Sequence, residues 1–189
     1  TRLGTASTLE LMVYGGRRHM LQFLSIPPAP QANPTHSGGV VGFVRDYAGA
    51  DVRWSWRGQL AGRDFGLTTG LAWDDLREQR RGHENFIGSG DTVQTGVQGA
   101  LRRDERNKVS SLDPYLQAHW QLAPRWRAET GLRRSRVRFD SRDHYIHPGN
   151  GDDSYATHYH KLLPTAALRY QPSRDLALYA TYGRGFETP

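Results

Sequence analysis

Cysteine is absent from the 189 residues, so no disulfide scaffold, thiolate metal site or thiol nucleophile can be built here. That absence fixes no compartment. Lysine is nearly absent as well: Lys108 and Lys161 are the only two, and the formal charge of +6 rests on arginine. No run of about 18 apolar residues occurs, which excludes a transmembrane helix. The opening "TRLGTASTLELMVYGG" also lacks the apolar stretch of a secretory leader. Hydrophobic residues are sparse at 37%, which argues against a conventional soluble core.

Aromatic residues (11%) and glycines (21) are plentiful instead. Disordered chains are poor in aromatics, so this mixture points to a β-protein whose apolar residues cover one face thinly. Period-2 alternation supports that reading. Leu9, Leu11 and Val13 alternate with Thr8, Glu10, Met12 and Tyr14, and Val52, Trp54 and Trp56 with Asp51, Arg53, Ser55 and Arg57. Phe65 to Asp74, Leu112 to Leu122, Trp126 to Arg133, Leu162 to Tyr170 and Leu176 to Gly183 repeat the pattern. Segments of about 10 residues with two unlike faces are the signature of transmembrane β-strands.

The spacing predicts connections that alternate in length. Short ones are "GQLAGRD" (Gly58 to Asp64), "APR" (Ala123 to Arg125) and "QPSRD" (Gln171 to Asp175). Long ones are expected from about Gly15 to Ala50, Asp75 to Ser111 and Arg134 to Lys161. In an up-and-down outer-membrane barrel, short turns face the periplasm and long loops face outside. Trp54, Trp56, Trp120, Trp126 and Tyr170 gather beside the short turns, where an interfacial girdle belongs. A soluble β-sandwich also has alternating strands, but loops beyond about 12–15 residues would be unusual in one. Pro114 and Pro164, inside strand patterns, require a bulge or a ladder end.

About seven strands cannot close a single-chain bacterial barrel, where the count is even, and an open edge in lipid leaves costly unpaired backbone groups. The other face carries Arg53, Arg57, Gln117, His119, Arg127, Glu129 and Arg169, a polar wall suited to a wide barrel. The expected fold is therefore all-β: an antiparallel up-and-down transmembrane β-barrel segment, residues 1–189 forming part of one larger, plugged barrel whose plug domain is absent.

"KLLPTAALRYQPSRDLALYATYGRGFETP" (Lys161 to Pro189) and "GLRRSRVRFDSRDHY" (Gly131 to Tyr145) resemble segments of TonB-dependent outer-membrane receptors. The motif residues are Tyr179, Tyr182, Gly183, Gly185, Phe186 and Pro189, read as architecture, with Pro189 leaving the strand for a loop. The resemblance implies a barrel of about 22 strands around a plug, in the outer membrane of a Gram-negative bacterium. It implies as partners an inner-membrane TonB-type energy-transducing complex acting through the plug, a small-molecule metal chelate such as a ferric siderophore, and outer-membrane lipid and lipopolysaccharide. "GALRRDERNKVSSLDPYLQAHW" (Gly99 to Trp120) is similar to a subgroup linked to uptake of pyrroloquinoline quinone. A passive porin or adhesin-type barrel is the alternative from another class.

Receptors of that family bind cargo between the outer loops and the plug, which makes residues of the outer connections the candidates. His144, Tyr145, His147, His158 and His160 cluster in "RDHYIHPGNGDDSYATHYHK". His158 and His160, two apart, share a face of a strand; a polar loop flanking a Gly/Asp turn is the plainer reading. "NGDDS" (Asn150 to Ser154) reads as a turn, since it lacks the ligand count of a Ca²⁺ loop. Arg80, Arg81 and His83 are further candidates, and "LRRDERNK" (Leu101 to Lys108) could grip lipopolysaccharide phosphates or an anionic ligand; a solvated loop is the plainer reading of both runs. No metal site or cofactor is expected. Catalysis has no support, because no nucleophile elbow or phosphate loop occurs. Arginine spread along the chain, not gathered on one face, argues against nucleic acid.

If Leu116 faces lipid near the bilayer midplane, Leu116→Arg should destabilise the full-length barrel by about 2–4 kcal/mol. Gln117→Arg, on the other face, should be tolerated. Refolding into lipid vesicles measures both, and equal tolerance at the two positions contradicts the face assignment.

Overall fold

A computed structural model describes residues 6–188; Thr1 to Thr5 and Pro189, the last residue of the motif above, lie outside the described residues. In chain order the strands are β1 (Ser7–Phe23), β2 (Val40–Leu60), β3 (Arg63–His83), β4 (Phe86–Ile87), β5 (Gln94–Thr95), β6 (Leu101–Ala123), β7 (Trp126–Asp143), β8 (Tyr155–Tyr170) and β9 (Leu178–Gly183). Seven of them form one antiparallel sheet in the order β1-β2-β3-β6-β7-β8-β9, while β4 and β5 pair as a small hairpin after β3. A single helical turn, α1 (Pro28–Gln31), lies between β1 and β2. Within the described residues the sheet does not close on itself.

The ladders keep one register over nearly their whole length, so each face is continuous from strand to strand. One row runs Leu9, Trp54, Thr69, Leu116, Leu132, Pro164. The neighbouring row, pointing the other way, runs Glu10, Arg53, Gly70, Tyr115, Arg133, Leu163. Apolar side chains on the first face are solvent-accessible, with Leu11 at 68% and Leu116 at 45%; Val40 is the buried apolar residue among those described. Such a sheet has no hydrophobic core of its own. Its apolar face is wetted by whatever surrounds it.

Trp54, Trp56, Trp120, Trp126 and Tyr170 all stand on that apolar face near the short turns. Trp126 stacks on Tyr170 with centroids 4.4 Å apart, Trp56 meets Phe65 at 6.1 Å, and Trp120 Nε1 donates to the Leu60 carbonyl at 3.3 Å. The β2–β3 turn needs only two residues. Ala61 (φ 52°) and Gly62 (φ 68°) both take positive φ, the backbone of a type I′ hairpin turn.

The long loops expected from 15–50, 75–111 and 134–161 are mostly strand. β1 and β2 extend to Phe23 and back from Val40, β3 and β6 to His83 and from Leu101, β7 and β8 to Asp143 and from Tyr155. The outer connections are only residues 24–39, 84–100 and 144–154. The extensions of β3, β6 and β7 are hidden because both of their faces are polar, and that of β2 because "VVGFV" is apolar on both; either way the hydrophobic alternation is erased. Cross-strand ion pairs replace it, including Arg45 with Glu78 at 2.5 Å, Arg17 with Asp46 at 3.6 Å and Arg81 with Asp104 at 3.5 Å.

Pro114 sits in a gap of the β6–β7 ladder, between the pairs Ser111–Val137 and Tyr115–Arg133. The Asp113 carboxylate fills that gap. It accepts the Arg136 backbone N–H at 3.0 Å, Arg133 Nε at 2.9 Å and Ser135 Oγ at 3.3 Å, and it is 4% exposed. Pro164 lies just past the last β8–β9 pair, where its carbonyl accepts the Arg184 N–H at 3.2 Å. Its missing donor therefore falls at a ladder end.

Four aromatic rings on the polar face lie over glycines directly opposite them: Tyr47 on Gly16, Tyr14 on Gly49, His119 on Gly66 and Tyr115 on Gly70. The missing side chains let the rings lie flat, and the Tyr115 hydroxyl then reaches Asp51 at 3.1 Å. Gly70→Leu should displace the Tyr115 ring and destabilise the full-length barrel by about 1–3 kcal/mol, as overpacking does. Urea unfolding in lipid vesicles measures this; wild-type stability would contradict the ring placement.

Candidate functional site

The sheet's polar face and the three outer connections form the candidate site. Two of the connections are tied by a pair of buried amides. Gln31 Nε2 lies 2.7 Å from Asn85 Oδ1, while Asn85 Nδ2 donates to the carbonyls of Leu24 at 2.8 Å and Ile26 at 3.0 Å. Arg102 reinforces the tie, reaching the Asn33 carbonyl at 2.5 Å and Glu84 at 3.2 Å. Buried amides satisfied in this way fix loop geometry, because a half-satisfied pair would be costly.

The third connection is folded on itself. Asp143 accepts the Tyr145 N–H at 2.8 Å, Asn150 Nδ2 donates to the Tyr145 carbonyl at 2.7 Å, and Asp152 accepts the Ser154 N–H at 2.8 Å. Gly149 takes φ 89° and abuts Pro34 of the first connection. The backbone turn closes at the His147–Asn150 bridge, ahead of most of "NGDDS", where Asp152 folds back on the Ser154 N–H. Hydrogen bonds from the Ser154 side chain and backbone hold the Asp152 carboxyl below its ordinary pKa.

Between the first and third connections and the outer end of β6, a polar cavity of about 160 Å³ opens, lined in part by Thr35, Arg103, Glu105, Asp143, Tyr145 and Asn150. Arg103 and Glu105 are an ion pair within the lining. Arg80 stands opposite Glu105, on the same polar face. The lining carries both signs, Arg102 and Arg103 against Glu105, Asp143 and Asp153, and a guanidinium such as that of Arg80 beside it can grip carboxylate or phosphate oxygens two at a time.

The structure divides the candidates named from sequence. Tyr145 lines the cavity, and His147 meets its ring edge-on at 4.7 Å. His144 donates its backbone N–H to the Asp104 carbonyl at 2.8 Å, at the root of the same connection. Arg80, Arg81 and His83 lie on β3 and not in a loop. Arg80 faces the polar wall, whereas Arg81 faces the opposite side, where it pairs with Asp104. His158 and His160 are also on a strand, β8, with ring centroids 6.4 Å apart. They share the face of Leu162 and Leu168, opposite to that of the cavity. Among the described residues no three metal-ligating side chains converge. Tyr179 lies on the polar face and Tyr182 on the apolar one, paired with Arg169 and Ala166, and Gly183 is the last residue of β9; Gly185 and Phe186 follow it.

Arg103 and Glu105 lie in "LRRDERNK" and Asp143 in "RDHYIHPGNGDDSYATHYHK", but the sequence alone does not single them out within those runs. Continuing the strand parity upward from Tyr115 would have found the first two, since odd positions of β6 share its face.

A family model described as TonB dependent receptor-like, beta-barrel matches residues 9–189. Among solved structures, the chain superposes on the ferric citrate transporter FecA in its unliganded form with a TM-score of 0.74 at 13% identity, covering 95% of this chain and 25% of that one. It superposes on the siderophore receptor PiuA from Acinetobacter baumannii with a TM-score of 0.71 at 12% identity, covering 96% of this chain and 30% of that one. At such identities the likeness is one of fold. The chain spans between 25% and 30% of the length of these two structures.

Burial first, and then the positive charge of Arg81, push the His83 imidazole below its ordinary pKa against an opposing pull from Asp104. The unfolded chain should therefore take up the proton first, so the His83 contribution is lost as pH falls below about 6.5. Histidine NMR of the full-length protein should show His83 titrating below that value, and His83→Gln should flatten the stability change between about pH 7 and pH 5.

Proposed function

The chain belongs to the TonB-dependent receptor-like β-barrel family, and from that premise we propose that it forms part of the wall and outer mouth of an outer-membrane receptor that imports a metal chelate such as a ferric siderophore. The observation that carries this reading is the division of the sheet into two unlike faces. One is apolar with an aromatic girdle, as a lipid-facing surface requires. The other is a hydrogen-bonded polar wall. The open edges at β1 and β9 present unpaired backbone groups that lipid cannot satisfy, so further strands complete the barrel.

In this reading the barrel sits in the outer membrane of a Gram-negative bacterium and performs transport, not catalysis. Cargo enters from outside and meets the cavity between the outer connections. Tyr145, His147, His144 and Arg80 supply its contacts with Arg103, while the polar wall receives a plug domain. That plug couples cargo binding to the inner-membrane energy-transducing complex. The named functions of the transporter FecA and the receptor PiuA support a ferric chelate as cargo.

Deleting the full-length gene should abolish energy-dependent uptake of one ferric chelate, measured with labelled iron, and complementation should restore it. Uptake that persists when the inner-membrane complex is inactivated would favour a passive pore. In the restored strain, replacing Arg80 and Arg103 together by Ala should weaken chelate binding about tenfold or more, the worth of one charged hydrogen bond. Unchanged affinity would remove them from the site.

A further inference from the structure

The outward face of β7 changes character abruptly. From the short-turn end it reads Trp126, Ala128, Thr130, Leu132, then Arg134, Arg136, Arg138. On β8 the same face reads Leu168, Ala166, Pro164, Leu162, then His160 and His158. Cross-strand pairing sets Arg134 beside Leu162, Arg136 beside His160 and Arg138 beside His158. Successive side chains on one face are about 7 Å apart, so three guanidiniums stand in a column that begins one step above the last leucine. The sequence had suggested arginine scattered along the chain; here the pleat gathers it.

These charges have no carboxylate of their own. Among the described residues, no ion pair involves Arg134, Arg136 or Arg138, and the Arg136 backbone, not its side chain, reaches Asp113. The nearest acids on this face are already engaged. Asp140 pairs with Arg142 at 3.4 Å, and Asp75 with Arg77 at 3.0 Å and Lys108 at 3.7 Å. Ser110 stands opposite Arg138 and adds a hydroxyl. The side chains line a groove of about 550 Å³ whose lower edge is Trp73 and Leu112. Basic groups lie above and apolar groups below.

The geometry points to a binding site for the phosphates of an outer-leaflet glycolipid, lipopolysaccharide, at Arg134, Arg136 and Arg138, with His158, His160 and Ser110 as neighbouring donors. This rests on the outer-membrane reading above and adds to it a ligand on the outside of the wall. The guanidinium fork matches phosphate oxygens two at a time. The column begins where the apolar band ends, the level at which headgroup phosphates meet acyl chains. Trp73, Leu112 and Leu162 then contact the upper acyl carbons. Imported cargo is the wrong occupant, because these side chains point away from the polar wall.

The test uses the full-length receptor reconstituted in phosphatidylcholine vesicles containing bis-phosphorylated lipid A or its dephosphorylated form. The wild type should bind the phosphorylated lipid at least about tenfold more tightly than the other. The triple variant R134Q/R136Q/R138Q should lose that preference while keeping the heat-resistant electrophoretic mobility of a folded barrel and wild-type chelate affinity. A triple lysine variant should recover most of the preference, whereas R174Q, in the short-turn connection, should leave it intact. A folded triple glutamine variant that still prefers the phosphorylated lipid overturns the inference and leaves the receptor reading standing. So does displacement of the lipid by millimolar inorganic phosphate, which would mark a site for the free anion. Failure of the wild type to insert into vesicles at all overturns both.

Discussion

Everything in this chain hangs on the register of one antiparallel ladder. Side chains alternate across a strand, so a slip of one residue between any two strands would carry leucines into the polar wall and arginines into lipid. The pairing from β1 to β8 shows no such slip: its irregularities fall at Gly82–His83 and at Gln121–Ala123, beside connections. The gap at Pro114 is repaired without changing the count, because the pairs on either side keep the same offset. A buried carboxylate supplies the acceptor that the ladder lacks there. Local chemistry thus protects a long-range geometric constraint.

With the register fixed, charge separates by face and height. On the polar wall, charged groups are mostly neutralised across or along strands, as Arg53 is with Glu10 at 2.5 Å and Arg133 with Asp113 at 2.5 Å. Aromatic rings lying over glycines keep that wall flat. On the other face the apolar band carries no charge between Leu112 and Leu122, and above it an uncompensated arginine column appears. Ion pairs also cross the outer face, as Arg17–Asp46 and Arg81–Asp104 do, so the β7 column is set apart because its three guanidiniums have no such partner among the described residues.

Alternation made the membrane-spanning portions legible. Phe65 to Asp74, Leu112 to Leu122 and Leu162 to Tyr170 all fall inside β3, β6 and β8. The polar upper halves were not legible, because residues such as Arg102 to Lys108 look like a solvated loop when both faces are charged. Their strand state is set by partners elsewhere in the chain, Arg77 to Gly82 on one side and Asp140 to Asp143 on the other. For the same reason the candidate site was read only in part. Tyr145 and His147 belong to a real connection; the two-residue spacing of His158 and His160 gives them a common face, but only the β7–β8 pairing shows that this face is the one turned away from the cavity.

The sequence by itself determined the fold class, the spanning segments, the girdle tryptophans and the two-faced character of each strand, since these follow from local period and composition. Tertiary structure alone decided how far the strands extend and which loop ends meet through Gln31 and Asn85. It alone also showed that three arginines spaced two apart stand unpaired on the outer surface. Those facts depend on which strand lies beside which and in what register, and long-range pairing is a property of the folded sheet that no short window of sequence contains.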